Sequence, residues 1–480
     1  LTTGVGNVAI GRAAMNVHGT GGFNIAIGNF AMDDTNAGST SAGSTHNIFI
    51  GNSAGGGTWA DAASSYNVGI GNYVMDAAMN GALYNTAIGH NAASALTTGD
   101  QNVMLGAGAG YSITTGQYNV LIGVDASNLH TDVNNLVSIG WNAAKAIEAD
   151  GTVAIGYQAG YALTSGIGNV AIGYQALDAE DDGDYNTAVG YKALTAQTGT
   201  SGEVGNTAVG YKAGHDTTTG TVSTFIGYKA GENKTSATNN IAIGASAFSG
   251  AGTNISNCIA IGYLAMASAV GDYSANSGNI AIGRQAMYGA SQSSGSVAIG
   301  YESQYSQTGN HYNTSVGYQS LKGVGHSGGS HQTSHYNTAL GYRAGFDYGA
   351  GGSSEHNVFV GHVAGEYNRF GDRGTFVGSQ AGRFSTVGVD QTFIGAYAGI
   401  YATGSYNVFV GANAGKGGTT SAPYSSGQYS TAVGYQALQG FTTANYNTAY
   451  GYRSLYNNTT GQYNTAIGIN AGFSKTATNY

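Results

Sequence analysis

Asn186-Thr187-Ala188-Val189-Gly190 recurs with small changes along the whole chain, from Asn7-Val8-Ala9-Ile10-Gly11 to Asn464-Thr465-Ala466-Ile467-Gly468. There are 26 copies, and most of their closing glycines stand 17 residues apart, a few 16 or 18, and the rest 20 to 24. A short fixed period over a whole chain marks a solenoid, in which each repeat covers the apolar face of the next. The motif therefore predicts an all-β fold, a parallel β-solenoid or β-roll of about 26 coils on a 17-residue basic repeat. At about 4.8 Å per coil the expected rod is roughly 125 Å long. The reading is one continuous repeat domain over 1–480, with the long intervals placing loop insertions at about 33–46, 321–336 and 416–429.

The residue before the motif glycine is Ile, Val or Leu in 25 of 26 copies, and the residue three before it is always Val, Ile or Thr. Side chains alternate across a strand, so these two share a face, which is expected to line the coil's core. The residue between them is Ala in 15 copies and Phe in 6, including Phe359, Phe376, Phe393 and Phe409 on consecutive coils. An apolar residue on the second face implies a second layer, and another copy of the chain is the simplest one. The four Phe are thus expected to form an interface seam in a homotrimer of intertwined or packed β-rolls. Asn stands four before the glycine in 18 copies, among them Asn85, Asn102 and Asn119, and is expected to hydrogen-bond up the stack. Cys258 occupies the same slot and reads as a small buried substitute. Tyr157, Tyr174, Tyr191, Tyr211 and Tyr228, each one past a motif glycine, predict an aromatic ladder.

Composition narrows the function. Charged residues are 8% of the chain, against about 25% in an average soluble domain. The net charge of -9 contains no basic cluster, which argues against nucleic acid as a partner. No apolar run is long enough for membrane insertion, and a single cysteine excludes stapling by internal disulfides. The chain opens with Leu1 and reads as a mature or partial product. No cofactor and no catalysis are expected, since no Ser, His and acid set and no carboxylate pair stands outside the repeat.

Two local clusters carry a functional reading beside that of solvated loops. Asp178-Ala179-Glu180-Asp181-Asp182-Gly183-Asp184 alternates acids with glycine as a calcium loop does, making Asp178, Glu180 and Asp182 weak calcium candidates. Val189 stands where the bidentate Glu of such a loop would be, so a solvated acidic loop is the default. His326, His331 and His335 gather near the longest insertion, beside His311 and His356. Their spacing matches no metal-ligand pattern, and they are read as surface residues available for binding.

The N-[TVI]-[AF]-[IV]-G motif with Ala three residues on resembles the β-roll repeats in the heads of trimeric autotransporter adhesins. It is also similar to the N-T-A-I-G-Y-Q-A-G arrays of phage tail-fibre and adhesin-like proteins. The resemblance implies a non-enzymatic extracellular fibre or adhesin shaft, on a virion or a cell surface, that mediates attachment, with a cell-surface glycan as a possible ligand. Tyr and His on the inserted loops are the residues suited to sugar rings. A self-assembling filament subunit is the alternative, because neither end shows a polar cap. An ice-binding solenoid is less favoured, because its Thr array would have to be exposed and these Thr sit in a strand apolar on both faces.

Overall fold

The structure is a computed structural model that describes residues 3–36, 40–198, 202–250, 255–267, 277–290, 293–306, 309, 311–323, 334–347, 354–474 and 476. It contains twenty-eight short strands, twenty-six of them the three residues before a motif glycine. Among the described residues there is no α-helix, and one 3-10 turn spans Ser41–Gly43. The chain divides into two compact units, 1–237 and 238–480, each with thirteen of the three-residue strands. Within each unit successive strands pair parallel and in register, as Val170 with Thr187, Ala171 with Ala188 and Ile172 with Val189. The protein is thus a parallel β-solenoid whose rungs are the motif itself.

Strands this short need sharp corners, and the backbone makes them with left-handed residues. Around Gly190 these are Tyr185, five before it, at φ 60°, Lys192, two after, at 53°, and Leu194, four after, at 48°. Non-glycine residues bear this strain because every coil repeats the same corner and the stacked neighbours hold it. Gly190 itself has φ 138°, and a Cβ there would stand 2.3 Å from the carbonyl oxygen of Gly210 in the next coil. Only glycine tolerates both the dihedral and the approach, which is why this position never varies.

The strand faces are opposite to the expectation. The residue two before the glycine points inward, with Ala171, Ala188 and Ala208 wholly buried, while Val170 and Ile172 on either side are only half-buried. Val209, Ile226 and Ile243 are 37%, 37% and 36% exposed. Phe359, Phe376, Phe393 and Phe409 have no exposed surface, so they are interior residues of the coil and not a seam between copies. The physical reason is the thinness of the coil. A three-residue strand turns one side chain inward, and that side chain must share the interior with the residue four past the glycine.

The two positions fill one another's volume. All six Phe coils carry Gly at that opposing place: Phe49 with Gly55, Phe225 with Gly231, and likewise Gly365, Gly382, Gly399 and Gly415. A Cβ on Gly382 would stand 2.2 Å from the Phe376 ring, and one on Gly365 2.2 Å from Phe359. Where the strand offers Ala, the opposing residue is often large, as Ala26 with Met32, Ala171 with Leu177 and Ala432 with Leu438, all buried. Interiors packed to crystal density enforce such trades.

Of the expected insertions, residues 37–39 of 33–46 and residues 324–333 of 321–336 lie outside the described residues. The third folds back on the coils: Tyr424 stacks on Phe384 at 5.2 Å and on Tyr401 at 5.9 Å between ring centroids. Thr419 and Ser425 meet at its base, 3.0 Å apart.

Candidate interaction surface

Each rung has an inner and an outer set of side chains, and the inner set is structural. Asn102 donates its backbone N–H to Asn85 Oδ1 at 3.0 Å and its side-chain amide to Gly116 O at 2.9 Å. Asn119 repeats this with Asn102 Oδ1 and Val133 O, at 3.0 and 2.7 Å. All three Asn are fully buried. One amide therefore satisfies a main-chain N–H and a turn carbonyl of the next coil, as Asn102 does with Asn119 N–H and Gly116 O, two groups that would be costly to bury unpaired. Cys258 keeps half of this pattern: its N–H donates to Asn240 Oδ1 at 2.9 Å, and its side chain is buried.

The outer set forms a stripe parallel to the stack. Its centre is two columns of Val, Thr, Ile and Leu from the strand, and its margins are aromatic. Tyr157, Tyr174, Tyr191, Tyr211 and Tyr228 stack at 4.9, 5.1, 5.3 and 5.1 Å with rings within 9° of parallel, and Trp141 stacks on Tyr157 at 4.9 Å. A second ladder, not anticipated from the sequence, runs through the left-handed corner five before the glycine. There Phe23, His46, Tyr66 and Tyr84 stack in unit 1. Tyr406, Tyr429, Tyr446 and Tyr463 stack in unit 2 at 4.8, 5.0 and 4.9 Å. The signal was present in the recurring Tyr-Asn pair, as at Tyr84-Asn85 and Tyr118-Asn119.

Stacking also limits what the ladders bind. Within a run each ring face is covered by its neighbour, so a sugar that needs an open aromatic face finds only ring edges and phenol oxygens. The stripe instead offers methyl groups, Thr hydroxyls and a row of phenol oxygens.

A third column lies six before the glycine, where a side-chain acceptor takes a backbone N–H from the preceding coil. Asp100 serves Leu83 at 2.7 Å, Asn134 serves Gln117 at 2.9 Å and Asp184 serves Ile167 at 2.8 Å. In unit 2 Asp372 serves Glu355 at 2.8 Å and Asn445 serves Gln428 at 2.7 Å, and two further acceptors are histidines. His311 Nδ1 takes the Ser294 N–H at 3.2 Å, His335 Nδ1 takes the His311 N–H at 3.0 Å, and the two rings stack at 5.0 Å. His335 is therefore part of the ladder, while His326 and His331 lie outside the described residues. Burial, with the charge of stacked His335 beside it, holds His311 below the usual histidine value of 6.5. A depressed histidine favours folding while neutral, so this contribution is present above pH 6.5 and lost as pH falls through the depressed value. Thermal midpoints measured from about pH 7 to pH 5 should fall more steeply for the wild type than for His311→Asn, whose amide accepts the same bond at either pH. Equal slopes would remove His311 from the pH response.

Among the acidic candidates, Glu180, Asp181 and Asp182 come together, with one oxygen of each within 4.8 Å of the others. Asp178 is not in that group. Its carboxylate accepts a long bond from Gln175 Nε2 at 3.4 Å.

No protein-family model matches the chain, and no curated protein matches it in sequence. No helix among the described residues is long and apolar enough to cross a membrane.

Proposed function

We propose that the chain is a non-enzymatic structural module of an extracellular fibre or adhesin, a shaft that mediates attachment and assembles as a homotrimer through its outer stripe. The observation carrying this reading is the stripe itself. Its strand columns are uncharged, half-exposed and repeated in register over thirteen rungs in each unit. With the aromatic margins included, a rung about 16 Å wide and about 4.8 Å tall covers some 80 Å², so thirteen present about 1,000 Å². Monomeric proteins rarely leave an apolar patch of that size open, and a stable interface needs about 800 Å² per partner. Another copy supplies the same flat, uncharged surface. The resemblance to adhesin-head and tail-fibre repeats supports the same assignment, as does the interior, where polar residues serve the stack.

Light scattering tests it. The wild type should show about three times the 48.4 kDa chain mass. Ile155→Lys with Ile172→Lys, both on the outer column, should reduce the mass to one chain while leaving the β-sheet signal intact. A wild-type chain that runs as a monomer of 48.4 kDa overturns the trimer.

The ice-binding reading regains support from the orientation of Thr. Thr187, Thr207 and Thr224 stand on consecutive rungs in the outer column, and Thr431, Thr448 and Thr465 there are exposed. The objection that these Thr lie in a strand buried on both faces does not hold for this structure. Thermal hysteresis in a monomeric preparation would favour this second reading over the trimer.

A further inference from the structure

Six of the chain's 24 acidic residues, Asp178, Glu180, Asp181, Asp182, Asp184 and Glu203, lie on one turn of unit 1 and the strand pair beside it, and three of them, Glu180, Asp181 and Asp182, bring carboxylate oxygens together. Residues 178–184 are consecutive, and the two-residue strand Gly183–Asp184 pairs with Gly202–Glu203, setting Asp184 opposite Glu203. Among the described residues none of the six forms an ion pair with Lys or Arg.

Glu180 is the anomaly in this group. It stands seven past Gly173, an interior position that holds Leu96, Ile113 and Leu163 in some coils of the same unit and Gln197, Thr217 and Lys234 in others, all buried, and Glu180 is the one carboxylate among them. A leucine there would serve the fold, and a carboxylate in its place is costly to desolvate. Glu180 nevertheless has no exposed surface. Its Oε1 accepts the N–H groups of Gly183 at 2.9 Å and Asp181 at 3.1 Å, but its Oε2 is buried with no partner at all. Asp178 Oδ1 is a second buried carboxylate oxygen of the same turn without a partner.

We propose that Glu180, Asp181 and Asp182 form a calcium site, with the buried Glu180 carboxylate as its fixed ligand. Oxygens bound to one Ca²⁺ at 2.3–2.6 Å lie at most about 5 Å from one another, and one oxygen from each residue already falls within 4.8 Å. An all-carboxylate donor set selects a hard cation, and a turn that needs no ideal octahedron favours Ca²⁺ over Mg²⁺. The ion neutralises three carboxylates that otherwise repel. Burial pushes the Glu180 carboxyl up, and burial together with the Asp181 charge does the same to Asp182. Water and main-chain carbonyls complete the coordination. The site ties the exposed end of the turn to the coil interior, a local clamp that is independent of whether copies of the chain associate.

The full chain is titrated with Tb³⁺, whose emission Tyr185, three residues from Asp182, is placed to sensitise. Saturable emission that added CaCl₂ displaces, with calcium affinity of order 10⁻⁴ to 10⁻³ M, is expected. Asp181→Asn with Asp182→Asn, at positions open to solvent, should keep the fold and lose at least tenfold in affinity. Glu180→Gln should weaken binding as well. No saturable emission, or emission and calcium displacement unchanged in the Asp181→Asn, Asp182→Asn variant, overturns the site.

Discussion

Phe376→Ala should destabilise unit 2 by about 3–5 kcal/mol, because it empties a fully buried ring position in a coil too thin to collapse around the void. The neighbours are rings and strands held in register: Phe359 stacks on Phe376 at 5.5 Å, and Phe393 packs edge-on at 5.4 Å. The second substitution is the more telling. Gly382→Leu alone should also be destabilising, since a Cβ there would meet the ring at 2.2 Å. Phe376→Ala combined with Gly382→Leu recreates the Ala and Leu pairing found at Ala171 and Leu177, where Leu sits at φ 53°, close to the 57° of Gly382. The double variant should recover more than half of the stability lost by Phe376→Ala, read as the denaturation midpoint. Val377→Ala, on the outer column, should cost about 1 kcal/mol or less in a separated chain. If Phe376→Ala were as mild as Val377→Ala, the inward assignment of the Phe column would fail.

Gly173→Ala is expected to be at least as severe, about 3 kcal/mol or more, from two additive causes. The residue sits at φ 139°, where an L side chain is strained, and its Cβ would lie 2.3 Å from Gly190 O. That oxygen belongs to the backbone of the next rung and cannot move without breaking the strand pairing. Gly151 supplies the comparison, with φ 76° and open space where a Cβ would stand, no atom lying within 4 Å. Gly151→Ala should cost only about 1 kcal/mol, since the same corner is occupied by Tyr185 and Tyr84 in other coils. Hydrogen exchange should show the loss from Gly173→Ala centred on the rungs around Val170–Ile172 and Thr187–Val189. Equal effects of the two substitutions would mean that the rung-to-rung approach does not restrict this position.

The repeat was legible because it is written in the identities of residues at fixed spacing. Twenty-six glycines at a period near 17, each preceded by a triplet that starts with Val, Ile or Thr and in 25 copies ends with Ile, Val or Leu, leave few folds other than stacked short strands. The buried Asn columns and the first Tyr ladder followed from the same spacing. The second Tyr ladder was equally visible in the Tyr-Asn pairs, but nothing in a one-dimensional pattern says that the residue before Asn turns outward at a left-handed corner. The acidic turn was noticed for its composition. The buried Glu180 carboxylate oxygen without a partner, beside two further carboxylates, exists only once Glu180 occupies an interior position.

By itself the sequence determined the period, the strand, the parallel register and the places where coils lengthen. The tertiary structure decided which face of the strand is inside. Alternation along Val170-Ala171-Ile172 separates two faces but is symmetric between them, and larger apolar residues on one face do not make it the interior. The choice is made across the coil, where the strand's central residue and the residue four past the glycine share a thin interior, so that a Phe at the first requires Gly at the second. Phe against Gly and Ala against Leu satisfy that condition, whereas two β-branched columns turned inward do not fit. The Val, Ile and Thr columns are left on the outside, and with them the surface on which the protein's function is proposed to rest.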